Sequence, residues 1–156
     1  MAISASAETP ALVLVVEDDA LVRDMVQTSL TRAGFRVVLA SDGEAAIERL
    51  ADQRPDLILT DLFMPNCDGI ELLRSGHLSR AKAPVIAMSG GYAGIDMLAA
   101  SQALGATATI AKPFMPSELL ALVRRTLRAG PAAVDRLDGP ADPRTGPGGA
   151  VANAGR

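Results

Sequence analysis

The stretch from residue 56 to residue 61, Asp-Leu-Ile-Leu-Thr-Asp, decides the fold class. It is a short and nearly continuous apolar run that ends in a carboxylate. Two further runs are built in the same way, Leu-Val-Leu-Val-Val at residues 12–16 and Val-Ile-Ala-Met at residues 85–88. Strands that are covered on both faces show this pattern, which is typical of a parallel sheet.

Predicted helices alternate with these strands. The apolar runs predict strands at residues 12–16, 35–39, 56–60, 84–88 and 107–111. Helical periodicity predicts helices at residues 20–33, 69–80, 94–104 and 116–128, and one more whose capping box pairs Ser41 with Glu44. Five strand–helix repeats predict an α/β fold, a doubly wound five-stranded parallel sheet with five helices.

The chain of 156 residues has the size of one domain with short extensions. We expect the domain at residues 11–129, after a flexible N-terminus at residues 1–10. Residues 130–156 are rich in Gly, Pro and Ala and show no apolar periodicity. Such a segment buries too little apolar surface to offset its conformational entropy, so we expect a disordered tail there.

The composition argues against several classes of protein. Aromatic residues make up 3% of the chain and the net charge is −3, a poor match for a nucleic-acid-binding surface. One Cys and one His exclude a disulfide framework and a zinc site built within this chain from its usual Cys and His ligands. The longest apolar run is too short to span a bilayer, and the first residues lack the features of a secretory signal. We therefore expect a cytoplasmic protein without a membrane or nucleic-acid partner.

Ionisable and hydroxyl side chains follow four of the five predicted strands. They are Glu17, Asp18 and Asp19 after the first strand, Asp61 after the third, Ser89 after the fourth and Lys112 after the fifth. The carboxyl ends of parallel strands meet at one edge of the sheet, where such folds bind their ligands. We therefore expect these side chains to lie close together.

The crowded carboxylates at this edge predict a magnesium site. Two carboxylates ~4 Å apart repel each other by on the order of 4 kcal/mol at an effective dielectric constant of about 20. Magnesium prefers oxygen ligands and would relieve that repulsion. One carboxylate could then attack a phosphoryl group and form an aspartyl phosphate, with the Lys112 ammonium and the Ser89 hydroxyl holding the phosphoryl oxygens. Asp19 is interpreted instead as a partner of the positive end of the first helix.

Four segments resemble the signatures of the bacterial response-regulator receiver domain. In chain order they are Val-Val-Glu-Asp-Asp-Ala-Leu-Val-Arg (residues 15–23), Leu-Ile-Leu-Thr-Asp-Leu-Phe-Met-Pro-Asn-Cys-Asp-Gly (57–69), Val-Ile-Ala-Met-Ser-Gly-Gly (85–91) and Ala-Lys-Pro-Phe (111–114). They occur in the order and at the spacing that the family shows, across nearly the whole predicted domain. The resemblance implies a flavodoxin-like sheet with the strand order 2-1-3-4-5.

The resemblance also implies a role for six residues. Asp61 matches the phosphoacceptor, which also binds Mg²⁺; Glu17 and Asp18 match the acidic pair, with Asp18 as the direct Mg²⁺ ligand; Phe63 matches the residue whose backbone carbonyl binds the metal; Ser89 matches the hydroxyl that reorients on phosphorylation; Lys112 matches the phosphate-contacting lysine, whose bond to Pro113 is usually cis in the family.

Two further positions matter: Thr109 departs from the pattern of the family, and Phe63 bears on the chemistry at Asp61. Three residues before Lys112 the family often has Tyr or Phe, whereas this chain has Thr109. Signal transmission must then use a smaller side chain, the loop after the fourth strand, or Tyr92. Phe63 places a large apolar side chain two residues beyond Asp61, where we expect it to hinder water and slow the loss of a phosphoryl group.

The resemblance implies a single-domain response regulator that a histidine kinase or a phosphotransfer protein phosphorylates on Asp61. It would signal by contact with an unknown protein target or relay the phosphoryl group, and it would be no enzyme beyond phosphoryl transfer to its own Asp61 and self-dephosphorylation. One alternative is a phosphorylation-independent binding module of the same fold. Another is a flavin- or nucleotide-binding domain, although Glu-Asp-Asp after the first strand would repel a phosphate in the absence of metal.

Overall fold

The structure, a computed structural model, describes residues 8–64, 68–90 and 94–130. Within these ranges it contains five strands and six helices. The strands are β1 (Leu12–Val16), β2 (Arg36–Ala40), β3 (Leu57–Asp61), β4 (Val85–Ser89) and β5 (Ala108–Ala111). The helices are α1 (Ala20–Arg32), α2 (Gly43–Asp52), α3 (Gly69–Arg74), α4 (His77–Ala81), α5 (Gly94–Ala103) and α6 (Pro116–Ala129).

The five strands form one parallel sheet in the order β2-β1-β3-β4-β5, which confirms the predicted fold class. Every residue of β1, β3 and β4 is buried, whereas the edge strands β2 and β5 are largely half-buried. The continuous apolar runs of the sequence thus correspond to the three central strands. Their burial on both faces is the reason that they lack a polar alternation.

Successive side chains of the sheet contribute to two separate cores, one on each face. On one face Leu14 and Ile58 pack with residues of α2, α3 and α4. On the other face Val13 and Val15 pack with residues of α1 and α6, among them Leu119. This two-sided packing leaves the carboxyl edge of the strands as the place where polar side chains gather. None of the described helices combines the length and the apolar character required to cross a bilayer.

The prediction of one helix over residues 69–80 is wrong, and the fold has six helices rather than five. The first of the two helices ends at Arg74, where the Ser75 hydroxyl donates a hydrogen bond to the Leu72 carbonyl (2.6 Å). Gly76 then takes up a left-handed conformation with φ of 76°, and the chain restarts a helix at His77. Apolar periodicity continues across this interruption, so the pattern alone did not reveal it.

The predicted capping box between Ser41 and Glu44 is also wrong. The residue that caps α2 is Asp42, whose carboxylate accepts a hydrogen bond from the backbone N–H of Ala45 (2.8 Å). Serine and aspartate are both favoured at the N-cap, and the observed cap, Asp42, lies one position after the predicted cap, Ser41. Several strands are shifted by one residue too, so that Asp61 and Ser89 are the last residues of β3 and β4 rather than the first residues after them.

The predicted termini lie largely outside the described residues. The first seven residues and residues 131–156 are not described, so the flexible N-terminus and the disordered tail stay predictions. The domain boundaries at residues 11 and 129 likewise remain proposals.

Candidate active site

The carboxyl ends of four strands bring the predicted polar side chains to one edge of the sheet. Glu17 follows β1, Asp61 and Ser89 end β3 and β4, and Lys112 follows β5. The strand register fixes their neighbours, since Asp61 pairs with Met88 in β4, one residue before Ser89. The backbone N–H of Lys112 in turn donates to the Ser89 carbonyl (2.7 Å). The sheet therefore places the acidic groups, the hydroxyl and the lysine side by side.

Lys112 links the two buried carboxylates of the site. Its Nζ lies 2.6 Å from Glu17 Oε2 and 3.1 Å from Asp61 Oδ2. The path of this side chain depends on Gly90, because a Cβ at that position would lie 3.0 Å from the Lys112 Cβ. The Lys112–Pro113 peptide bond is cis, as the family resemblance implied. One ammonium thus neutralises part of the charge of two carboxylates at once.

Glu17 is buried completely, which shifts its ionisation strongly. Burial is the main reason that the pKa of Glu17 rises to about 7, and the neighbouring Asp61 charge raises it further. Hydrogen bonds from the Lys112 ammonium and from the backbone N–H of Asp19 (3.1 Å) oppose the rise. For Lys112, burial by itself lowers the pKa, but the Glu17 and Asp61 carboxylates outweigh it, so the pKa of Lys112 is raised and its ammonium stays charged.

Three carboxylates at this edge lie close enough to bind one cation. Oxygen atoms of Glu17, Asp18 and Asp61 all lie within 4.8 Å of one another. The donor set consists only of hard oxygens and carries more negative charge than Lys112 balances, so it fits a magnesium ion. The buried, partly uncompensated Glu17 carboxylate is a second feature that a bound cation would relieve.

Asp19 does not belong to this cluster. Its carboxylate accepts hydrogen bonds from the backbone N–H groups of Leu21 (2.8 Å) and Val22 (3.2 Å) and so caps α1. This confirms the interpretation of Asp19 as a partner of the N-terminal end of the first helix rather than a metal ligand.

Phe63 lies directly beside the acidic cluster. Its backbone N–H points at Asp61 Oδ1 (3.4 Å), and its side chain is 43% exposed. The metal-binding role of its backbone carbonyl stays a prediction. Thr109 is half-buried in β5, opposite Ala87, whereas Tyr92 lies outside the described residues.

Ser89 carries a hydroxyl that has no partner among the described residues. Its Oγ is buried and has no hydrogen bond within the described part of the chain. A buried hydroxyl of this kind normally has a partner, because leaving it unpaired costs on the order of 1–3 kcal/mol. The hydroxyl is therefore available for an oxygen of a ligand at this edge.

Two residues of the site were missed at the sequence level. Arg23 of α1 was not among the predicted site residues, yet its guanidinium donates to the backbone carbonyl of Glu17 (2.9 Å). Its position one turn into the helix could have revealed this, because helical side chains point back toward the N-terminus. Gly69 lies where a Cβ would overlap the Asp61 carbonyl oxygen, so its packing against the end of β3 requires a glycine.

Comparison with known proteins agrees with this geometry. Residues 13–124 match the sequence profile of the response regulator receiver domain. The chain belongs to this family. Receiver domains are components of two-component signalling systems, which accords with the acidic edge described above.

The curated relatives are longer than this chain. Response regulator MprA of Mycolicibacterium vanbaalenii is 36% identical over 119 residues, which make up 76% of this chain and 51% of that protein. The alkaline phosphatase synthesis transcriptional regulatory protein PhoP of Bacillus subtilis is 34% identical over 116 residues, or 74% of this chain and 48% of that protein. The receiver chain thus spans about half the length of these relatives.

Solved receiver structures share the fold. Chemotaxis protein CheY4 of Vibrio cholerae superposes with a TM-score of 0.69 at 32% identity, over 75% of this chain and 98% of that one. A CheY-like response regulator receiver domain protein of Methanospirillum hungatei superposes with a TM-score of 0.70 at 28% identity, over 76% of this chain and 94% of that one.

Proposed function

We propose that this receiver is a phosphorylatable switch that takes up a phosphoryl group on Asp61 in a magnesium-dependent reaction. The observation that carries the proposal is the Lys112 ammonium, which bridges Asp61 and the buried Glu17 at 3.1 Å and 2.6 Å. A lysine that served only as a solvated surface charge would extend into water and would not contact two buried carboxylates. A lysine held beside a nucleophilic carboxylate is placed to contact the oxygens of an incoming phosphoryl group.

In the proposed reaction, a carboxylate oxygen of Asp61 attacks the phosphorus atom of the donor. A new phosphorus–oxygen bond forms, and the bond from phosphorus to the donor nitrogen of phosphohistidine breaks, with its electron pair leaving on that nitrogen. Lys112 and the Ser89 hydroxyl, which has no partner in the described part of the chain, donate hydrogen bonds to phosphoryl oxygens. The Lys112 ammonium is already held by Glu17 and Asp61 before the reaction, and such preorganised donors stabilise the charge of a transition state effectively.

Glu17, Asp18 and Asp61 would hold the magnesium ion, together with the backbone carbonyl of Phe63. When bound, the ion supplies positive charge that offsets the repulsion between carboxylates and phosphoryl oxygens. The protein is then no enzyme toward other molecules, since the only reactions are transfer to its own Asp61 and hydrolysis of the resulting acyl phosphate.

The donor is a histidine kinase or a histidine phosphotransfer protein, as for receiver domains of two-component systems in general. We propose that the receiver acts as a single domain in the cytoplasm, through phosphorylation-dependent protein contact or by relaying the phosphoryl group. Solved chains that consist almost wholly of a receiver, such as CheY4, support the single-domain proposal. The name of PhoP describes a transcriptional regulatory protein, so the expectation of no nucleic-acid partner is kept for the receiver portion alone.

An intact-mass measurement tests the proposed function. The protein is incubated with acetyl phosphate with and without Mg²⁺, in parallel with Asp61→Asn and with the exposed-site control Asp24→Asn. We expect the mass of one phosphoryl group on the wild type and on Asp24→Asn, only with Mg²⁺, and none on Asp61→Asn. An adduct that persists in Asp61→Asn would contradict the assignment of the acceptor.

The phosphorylation-independent module is the second candidate, and Thr109 favours it, because the aromatic side chain that often accompanies the switch is absent. It predicts no adduct from acetyl phosphate or from a cognate phosphodonor protein, together with partner binding that is unchanged in Asp61→Asn.

A further inference from the structure

Arg23 reaches from α1 back to the loop that carries the acidic pair. Its Nη1 lies 2.9 Å from the Glu17 carbonyl oxygen and 3.4 Å from the Asp18 carbonyl oxygen. The side chain is half-buried, unlike the exposed arginine at the end of the same helix, Arg32. The contact therefore joins the first turn of α1 to two consecutive peptide groups of the site.

These two peptide groups set the direction of the metal-binding carboxylates. The loop is held at its start by the bond from the Glu17 N–H to the Ala40 carbonyl (3.0 Å) and at its end by the Asp19 cap of α1. Arg23 holds the carbonyls between these points. Glu17 is buried and packed, but Asp18 is exposed, so the backbone is what directs its carboxylate toward Asp61.

Two opposite effects on magnesium binding can be expected from an arginine at this place. Its positive charge repels a divalent cation, so removing the charge alone would tighten binding. Its hydrogen bonds hold the ligand-bearing backbone, so removing them would weaken binding. Groups that orient metal ligands typically contribute about 10- to 100-fold to metal affinity. Whether substitution of Arg23 tightens or weakens magnesium binding therefore distinguishes the two effects.

We propose that Arg23 is a positioning residue of the magnesium site. It fixes the backbone of Glu17 and Asp18 so that both carboxylates converge on Asp61, and this effect exceeds its electrostatic repulsion of the cation. The inference rests on the proposed magnesium-dependent function, and it adds to that function a residue that touches neither the metal nor the phosphoryl group. An arginine suits the task, because Nη1 of the guanidinium carries two N–H groups and can donate to both carbonyl oxygens.

The test is calorimetric titration of MgCl₂ into the full chain, carried out for the wild type, Arg23→Met, Arg23→Lys and Asp18→Ala. Arg32→Met is the matched control, because it removes one arginine from the other end of α1. We expect Arg23→Met to raise the magnesium dissociation constant by about tenfold. Arg23→Lys recovers part of the loss, since its ammonium can still donate to one carbonyl, while Arg32→Met binds as the wild type does.

A second readout reports on the metal-free loop itself. Amide hydrogen exchange at Asp18 and Asp19 should be faster in metal-free Arg23→Met than in the wild type, with no such change in Arg32→Met. An Arg23→Met dissociation constant equal to or below that of the wild type would overturn the proposal while leaving the proposed function standing. Absence of magnesium binding by the wild type itself would overturn both.

Discussion

Glu17 is a residue whose burial in the folded state strongly opposes the ionisation of its side chain. Its side chain is buried completely beside Asp61, and burial raises its pKa to about 7, well above its ordinary value of 4.5. Without a metal the Lys112 ammonium is the cation that contacts both carboxylates in the described structure. A carboxylate buried at such a position indicates a site that a further positive charge would stabilise.

The effect of burying Glu17 should be visible in the way the free energy of unfolding depends on pH. Because the folded-state pKa of Glu17 is raised, its contribution to stability is fully present below about pH 4.5 and is lost as the pH rises through 7. Glu17→Gln removes the ionisation, so its free energy of unfolding without metal should exceed that of the wild type by on the order of 2 kcal/mol at pH 8, and by little at pH 4.5. Urea unfolding in the presence of a chelator measures the difference. The exposed Glu48→Gln serves as the control, and a difference that shrinks with rising pH would contradict the expectation.

A second prediction concerns the side chain of Phe63. Its partly exposed ring lies two residues beyond Asp61, where we expect it to hinder the approach of water to a phosphoryl group. Phe63→Asn should therefore lose the phosphoryl group severalfold faster than the wild type, as followed by intact mass after removal of the donor. The matched control is Met115→Ala, which removes another exposed apolar side chain, from the loop before α6. Faster decay in the wild type than in Phe63→Asn would show that the ring does not protect the acyl phosphate.

At the scale of elements, the features predicted most accurately from the sequence are those that depend on burial. The central strands were identified because a strand covered on both faces has to be apolar throughout, and their polar ends identified Glu17, Asp61 and Ser89. Lys112 was identified at the end of the edge strand β5. The interruption at Gly76 was not predicted, because a single glycine within a helical pattern does not by itself show that the helix ends there. The contacts of Arg23 were missed for a related reason, since periodicity describes faces of a helix and not what lies beyond its end.

The start of α3 packs directly against the backbone at the end of β3. Gly69 donates its N–H to the Leu62 carbonyl (3.1 Å), and a Cβ at this position would overlap the Asp61 carbonyl oxygen. Gly69→Ala should therefore destabilise the fold by about 3 kcal/mol, at the upper end of the cost of overpacking, in spite of the better helix propensity of alanine. Chemical unfolding measures the loss. Glu71→Ala, an exposed substitution in the same helix, should change stability little. An unchanged stability of Gly69→Ala would show that the loop relaxes without cost.

At the scale of the whole molecule, metal binding should be coupled to folding. An ion that binds only the folded state stabilises it by about 2.7 kcal/mol at 100 times its dissociation constant. Magnesium should raise the melting temperature of the wild type, and this shift should be absent in Asp18→Ala. Asp24→Ala, which removes an exposed carboxylate from α1, should keep the full shift. Equal shifts in the wild type and Asp18→Ala would argue against the proposed metal site.

The most direct test of the switch is a crystal structure of the protein with magnesium and beryllofluoride, which mimics the phosphoryl group on a carboxylate. We expect beryllium bonded to a carboxylate oxygen of Asp61, a magnesium ion held by Asp18, and fluorine atoms within hydrogen-bonding distance of Lys112 Nζ and Ser89 Oγ. The Ser89 hydroxyl, which has no partner among the described residues, would then have one. Beryllofluoride bound elsewhere, or bound at Asp61 with Lys112 and Ser89 turned away, would contradict the proposed site.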